Sequence, residues 1–277
     1  MINFFDFSTI YTAIITCNIL LAIIAIIIQN EKVMINAGYK LISIFLVLTA
    51  VRFLLPIQVP FVTTIPLPQG ISGIVVPLFN PLFKVKDISI TPIQLIAAVW
   101  IVGIVIQGYR FHRTNMAVRV RVLTTGRNVT KESRYAKVLG EIADKRVSRL
   151  HIYEIPELKT PLICGLFRPY ILFPSDFSCT DQQFSYILRH EVSHYLHHDL
   201  LIKFMTSLLT IVYWWNPFGY LLNRQINLVL EMKIDDTVTE DNDQEVLEYL
   251  RCLLHLAEYQ DAVFSNPPEQ CHFICLY

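Results

Sequence analysis

The chain has 277 residues, of which 53% are hydrophobic and 17% charged, with 23 basic side chains balancing 23 acidic ones. A charged share well below the usual ~25% argues against an ordinary soluble globule and for a membrane protein. Zero net charge argues against a polyanionic partner, and nothing in the overall composition suggests direct nucleic-acid binding.

The first element is an uncharged run from Phe7 to Ile28, rich in Ile, Leu and Ala. At ~1.5 Å per residue it can cross a hydrocarbon layer of ~30 Å. A signal peptide fits poorly, because no basic segment precedes the run and no small-residue cleavage site follows it. A second apolar stretch covers residues 33–55, with Lys40 and Arg52 placed to snorkel from its two ends. A third covers residues 88–109 and is followed at once by Arg110, His112 and Arg113. Three transmembrane helices (7–28, 33–55, 88–109) therefore form an expected membrane region, residues 1–109. Between the second and third lies a Pro-rich stretch, Pro56 to Asp87, read as an extracytoplasmic loop because proline breaks a helical ladder.

From Arg110 to Arg149 eleven Lys or Arg face three acidic residues. Such an excess beside a span marks the cytoplasmic side. The chain is thus expected to be a multi-pass protein of the cell membrane, with residues 110–277 forming a cytoplasmic domain. The basic run lacks the aromatic interleaving of a nucleic-acid surface, and Glu132 to Ala143 reads as an amphipathic helix. The cysteines (Cys17, Cys164, Cys179, Cys252, Cys271, Cys275) form no CxxC pair and read as free thiols of a reducing compartment. Cys271, His272 and Cys275 lack the partner pair that a second metal site would need.

Beyond Arg149 the pattern turns to short strands. His151 to Ile155 alternates and ends at Pro156. Pro161 to Gly165 and Tyr170 to Pro174 flank a Gly165–Pro169 turn. Thr180 and Gln183 then have capping-box spacing, and Asp181 suits the positive end of a helix. That helix runs into His190-Glu191-Val192-Ser193-His194, an H-E-x-x-H. Residues four apart share a helix face, so the two imidazoles can hold one Zn²⁺, and Glu191 stands beside them as general base.

Three protein ligands are usual at a catalytic zinc. The metzincin spacing fails, since His197 stands at its glycine position and Leu200 at its third histidine position. A glutamate on a later helix is the alternative. Glu231 is the best candidate, with Asp235 one turn later placed to hold a ligand histidine through its second ring nitrogen. His197 and His198 read as polar surface or support, and Asp236 as solvated acidic surface. Leu200 to Tyr213 is apolar, but a full crossing here would set Glu231 about 30 Å from His194. Only about twelve uncharged residues follow Lys203, too few to cross. Asn216-Pro217 breaks the helix, and Phe218 to Met232 can return about 22 Å. A membrane-associated hairpin over about 200–230 is expected, with Trp214 and Trp215 near the interface.

Together these residues resemble the BlaR/MecR-type membrane zinc peptidases, gluzincin-like transducers of antibiotic signals. The resemblance rests on His190-Glu191-Val192-Ser193-His194 with His198-Asp199, on Trp214-Trp215-Asn216-Pro217, on Glu231 and Asp235, and on the segment Thr160 to Pro174. It implies an α+β fold with a small β-sheet beside the H-E-x-x-H helix. It implies His190, His194 and Glu231 as ligands of one Zn²⁺, Glu191 as general base and Asp235 as supporting carboxylate. It also implies a cytoplasmic protein substrate, typically a transcriptional repressor, or self-cleavage, with a substrate strand added beside Pro161 to Gly165. Receptors of that family carry an extracellular penicillin-binding domain. This sequence contains no S-x-x-K and no K-T-G, so β-lactam sensing is not expected of it. Two other readings stand beside a regulatory endopeptidase: a non-cleaving signalling scaffold that keeps the zinc fold, and a housekeeping membrane protease of the prenyl-protein or heat-shock type. The intact Glu191 favours a working peptidase over the scaffold. Trp214 to Pro217 favours the first reading over the third.

Overall fold

The computed structural model describes residues 7–29, 44–52, 73, 76–85, 88–142, 144–156, 158, 160–238 and 243–265. The chain is mostly helical with a small mixed sheet, an α+β arrangement. It divides into two compact units: Met1–Phe111 with Thr206–Gln225, and His112–Met205 with Ile226–Tyr277.

In the first unit α1 spans Phe7–Gln29, and residues 44–52 are also helical. The buried Cys17 thiol donates to the carbonyl of Thr49. Strands β1 (Phe83–Val85) and β2 (Ile88–Ile90) form an antiparallel hairpin. Helix α2 then runs from Pro92 to Thr125, 34 residues. These elements correct the expected third span of 88–109. Residues 88–90 extend and pair with 83–85, and the helix starts only at Pro92, where a missing N–H costs nothing. The amide of Thr91 donates to the side chain of Gln94, which caps that start. The helix also continues well past Tyr109. Among the described residues α2 is the one helix long and apolar enough to cross a membrane, whereas the apolar stretch in α1, Ile14–Ile24, is shorter. Most of the expected second span and Pro-rich loop, and the Cys271 to Cys275 tail, lie outside the described residues.

The turn at residues 213–216 has a local cause. Asn216 caps the helix beginning at Pro217, its side-chain oxygen accepting from the amide of Phe218 at 3.1 Å. Its amide nitrogen donates to Asn18 of α1 at 3.0 Å. Trp214 packs against α2. Its indole fills the notch left by Gly103, where a Cβ would collide with it, and donates to the carbonyl of Trp100. Trp215 is half-exposed.

The second unit is built on a four-stranded sheet in the order β3 (Arg127–Asn128), β4 (His151–Ile155), β6 (Tyr170–Pro174), β5 (Leu162–Cys164). β4 and β6 are parallel, and the other pairs are antiparallel. Alternation along the strands sends side chains to two cores. Ile152, Ile171 and Phe173 join Tyr135 and Val138 of α3 (Ser133–Glu141) and Phe184, Ile187 and Leu188 of α4 (Asp181–Leu196). Ile155, Leu162 and Leu172 pack instead with Val122, near the end of α2. Burial on both faces explains why Tyr170 to Pro174 is continuously apolar. The edge-to-face pair Tyr135–Phe184, at 4.8 Å between centroids, joins α4 to α3, and Phe173–Phe184, at 5.2 Å, joins it to the sheet. Each such pair adds about 0.5–1.5 kcal/mol beyond area burial. Helices α5 (Asp199–Val212), α6 (Pro217–Val238) and α7 (Asp243–Ser265) complete the chain.

Candidate metal centre

Helix α4 starts where its capping box places it. The Thr180 side chain accepts from the amide of Gln183 at 3.2 Å, and the Gln183 side chain accepts from the amide of Thr180 at 3.1 Å. One face of α4 packs on the core through Phe184, Ile187, Leu188 and Val192. His190 and His194 therefore project together from another face.

Glu231, on the part of α6 belonging to the second unit, meets both imidazoles. Its Oε2 lies 3.4 Å from His190 Nε2 and 3.3 Å from His194 Nε2. The three candidate ligand atoms lie within 4.8 Å of one another. A tetrahedron with bonds of ~2.0–2.1 Å has edges of about 3.3–3.4 Å, so the donor types suit Zn²⁺ and the two separations from Glu231 match its spacing. Glu231 Oε1 accepts from Lys203 Nζ at 3.3 Å, which leaves Oε2 for the site. Glu191 is buried beside the pair, 8% exposed.

Each imidazole is held at its other nitrogen, but by different partners. His194 Nδ1 lies 2.9 Å from Oδ2 of Asp199, a fully buried carboxylate. Lys233 Nζ stands 3.5 Å from its Oδ1. His190 Nδ1 lies 2.8 Å from the hydroxyl of Tyr249, which donates to Asp235 Oδ1 at 2.6 Å. Asp235 itself is 3.5 Å from His190 Nδ1, outside good hydrogen-bond range. The direct clamp expected of Asp235 is thus replaced by one through a tyrosine.

Electrostatics follow from these contacts. Burial disfavours the charged imidazolium of His194, but hydrogen bonds to Asp199 and Glu231 outweigh it and lift the pKa to about 9. Zn²⁺ would displace that proton, since ligand imidazoles bind neutral. Burial likewise opposes ionisation of Glu231, yet bonds with His190 and His194 hold its carboxyl far below the ordinary carboxylate range. Burial and the bond to Asp235 push the phenol of Tyr249 well above its usual value, so it stays protonated.

Sequence reasoning cited Asp199 only within the resemblance, without a role, and gave no role in the site to Lys203 or Tyr249. Asp199 directly follows His198, whose backbone is left-handed at φ 62°. That turn ends α4 and swings the carboxylate back under His194. Arg146 holds the turn, donating to the carbonyl of Leu196 at 3.0 Å and lying 3.3 Å from His198 Nε2. An aspartate five residues beyond an H-E-x-x-H histidine was the available signal. His197 turns back on its own helix, with Nδ1 2.8 Å from the carbonyl of Ser193. Asp236 is exposed.

Two imidazoles one helical turn apart, a glutamate between them in sequence and a second-helix glutamate form a set that could hold a metal ion, as in sites of metallopeptidase type. The profile of the BlaR1 peptidase M56 family matches residues 10–272, and the chain belongs to that family. The chain is 34% identical over 112 residues to the regulatory protein BlaR1 of Bacillus licheniformis, a stretch covering 40% of this chain and 19% of that protein. It is 27% identical over 135 residues to the methicillin resistance mecR1 protein of Staphylococcus aureus, covering 43% of this chain and 23% of that protein. The mecR1 protein of Staphylococcus epidermidis matches with the same figures. The chain thus spans less than a quarter of the length of these relatives by aligned stretch.

Proposed function

We propose that the chain is a membrane-anchored zinc endopeptidase that hydrolyses peptide bonds of a cytoplasmic regulator, or of itself, in signal transduction. The observation that carries this is the convergence of His190 Nε2, His194 Nε2 and a Glu231 oxygen beside the buried Glu191. When bound, Zn²⁺ supplies Lewis acidity, activating water near neutral pH and polarising the scissile carbonyl. The Glu191 carboxylate takes the proton from the attacking water and delivers it to the departing amine nitrogen. Asp199 and Tyr249 keep Nδ1 of each imidazole protonated, which leaves both Nε2 lone pairs available to hold the ion. Strand β5, at the sheet edge and packed against α4, offers backbone groups to an added substrate strand.

The membrane reading rests on α2, where Leu95, Val99, Val102 and Ile106 are exposed apolar side chains. The basic excess after Tyr109 favours a cytoplasmic peptidase domain over 110–277 and a multi-pass membrane region over 1–109. Grouping of Thr206–Gln225 with Met1–Phe111 supports a membrane-associated hairpin at about 200–230. The names of the relatives, a regulatory protein and a methicillin resistance protein, favour a regulatory substrate such as a repressor and an antibiotic response.

The test compares cleavage products in membranes from wild type and Glu191→Gln, with bound zinc quantified in both. The reading expects equal zinc and loss of every product in the variant, by about 10²–10⁴-fold in rate. Zinc without proteolysis against candidate regulators would favour the scaffold instead.

A further inference from the structure

Tyr249 lies on α7, a helix for which sequence reasoning assigned no role. It is 2% exposed. Its ring lies nearly parallel to that of His190, with 25° between the planes, and meets Tyr186 of α4 edge-on at 6.0 Å. The same face of α7 continues along α4 and the core. The Cys252 thiol donates to the carbonyl of Gln183 at 3.5 Å, and Tyr259 packs edge-on against Phe177 at 4.9 Å. A tyrosine hydroxyl has one proton to give. Here that proton goes to Asp235 at 2.6 Å, so the oxygen can only accept at His190 Nδ1, 2.8 Å away. This pairing fixes both the tautomer and the plane of the imidazole.

We propose that Tyr249 is a positioning residue of the metal centre, relaying Asp235 to His190 and making the ligand geometry depend on the seating of α7. The inference rests on the assignment of His190, His194 and Glu231 as zinc ligands. It adds that one of those ligands is oriented from a third helix. His194 is backed by Asp199, which follows its own helix in the chain. His190 is backed by a residue 59 positions away, so anything that displaces α7 releases His190 first.

The experiment measures zinc affinity of the 277-residue chain in detergent by chelator competition, together with the visible spectrum of the Co²⁺-substituted protein. Tyr249→Phe keeps the ring and removes only the relay. It should weaken zinc by about 10–100-fold and alter the Co²⁺ spectrum. Asp235→Ala should weaken zinc comparably. The double variant should be no worse than the weaker single one, because both remove one relay. Tyr259→Phe, on the same helix but bonded to the carbonyl of Leu158, should bind zinc as wild type does. Unchanged affinity and spectrum in Tyr249→Phe, or multiplying effects in the double variant, would overturn the relay while leaving the ligand assignment intact. A wild-type chain that binds no zinc would overturn the ligand assignment itself.

Discussion

His194 and Asp199 are held 2.9 Å apart, imidazole Nδ1 to carboxylate Oδ2, with no solvent reaching the carboxylate. Such a pair orients a ligand and raises its basicity. Asp199→Asn keeps an acceptor oxygen but loses the charge, whereas Asp199→Ala loses both. Zinc affinity should fall in both, by about 10–100-fold in Asp199→Ala. Chelator competition measures this, and equal affinity in all three proteins would remove Asp199 from the centre.

The turn that places Asp199 stores backbone strain. His198 is the one described non-glycine residue with positive φ, at 62°. A β-branched side chain tolerates that region poorly. His198→Val should destabilise the domain by about 1–2 kcal/mol and weaken zinc, while His198→Asn should be near neutral in stability. Thermal unfolding of the two variants decides this. Equal melting temperatures would mean that the turn relaxes freely.

Cys252 offers a pH-dependent readout away from the ligands. Burial pushes its thiol up to about 11, against an ordinary value near 8.5. The folded chain therefore holds this proton more tightly than the unfolded chain. The contribution to stability is complete below about pH 8.5 and is lost as pH rises towards 11. Maleimide should label native Cys252 at pH 8 at least about a hundredfold more slowly than in the unfolded chain. Rapid labelling without unfolding would show that α7 leaves its seat.

Gly103 and Gly108 make a matched pair in α2. A Cβ at Gly103 would strike the Trp214 indole, while at Gly108 nothing lies within 4 Å. Gly103→Leu should destabilise the first unit by about 1–3 kcal/mol, and Gly108→Leu should not. Protease resistance and yield in membranes compare the two. Similar behaviour would mean that Trp214 has room to move aside.

Much of the second unit could be read from local chemistry. The strands 151–155 and 170–174 coincide with β4 and β6, because alternation, Pro156 and the Gly165 turn act over a few residues. The capping box at Thr180 and the break at Asn216-Pro217 form for the same reason. Strand β3 escaped notice, since two residues, Arg127 and Asn128, carry no periodicity and pair only because β4 offers an edge. The start of α2 was misplaced because Ile88 to Ile90 is as apolar as the helix that follows it, and hydropathy alone does not separate strand from helix.

The candidate ligand residues His190, His194 and Glu231 were legible in the sequence. Four-residue spacing on a helix puts His190 and His194 on one face wherever that helix packs, and a cap and a proline fix where helices start. The group behind His194 lies only five residues on, whereas the group behind His190 was decided by tertiary structure alone. Asp199 reaches His194 through a left-handed turn, and Tyr249 reaches His190 across 59 residues, displacing Asp235 to the far side of its hydroxyl. No local pattern encodes the Tyr249 contact, because it depends on how α7 and α6 come to lie against α4.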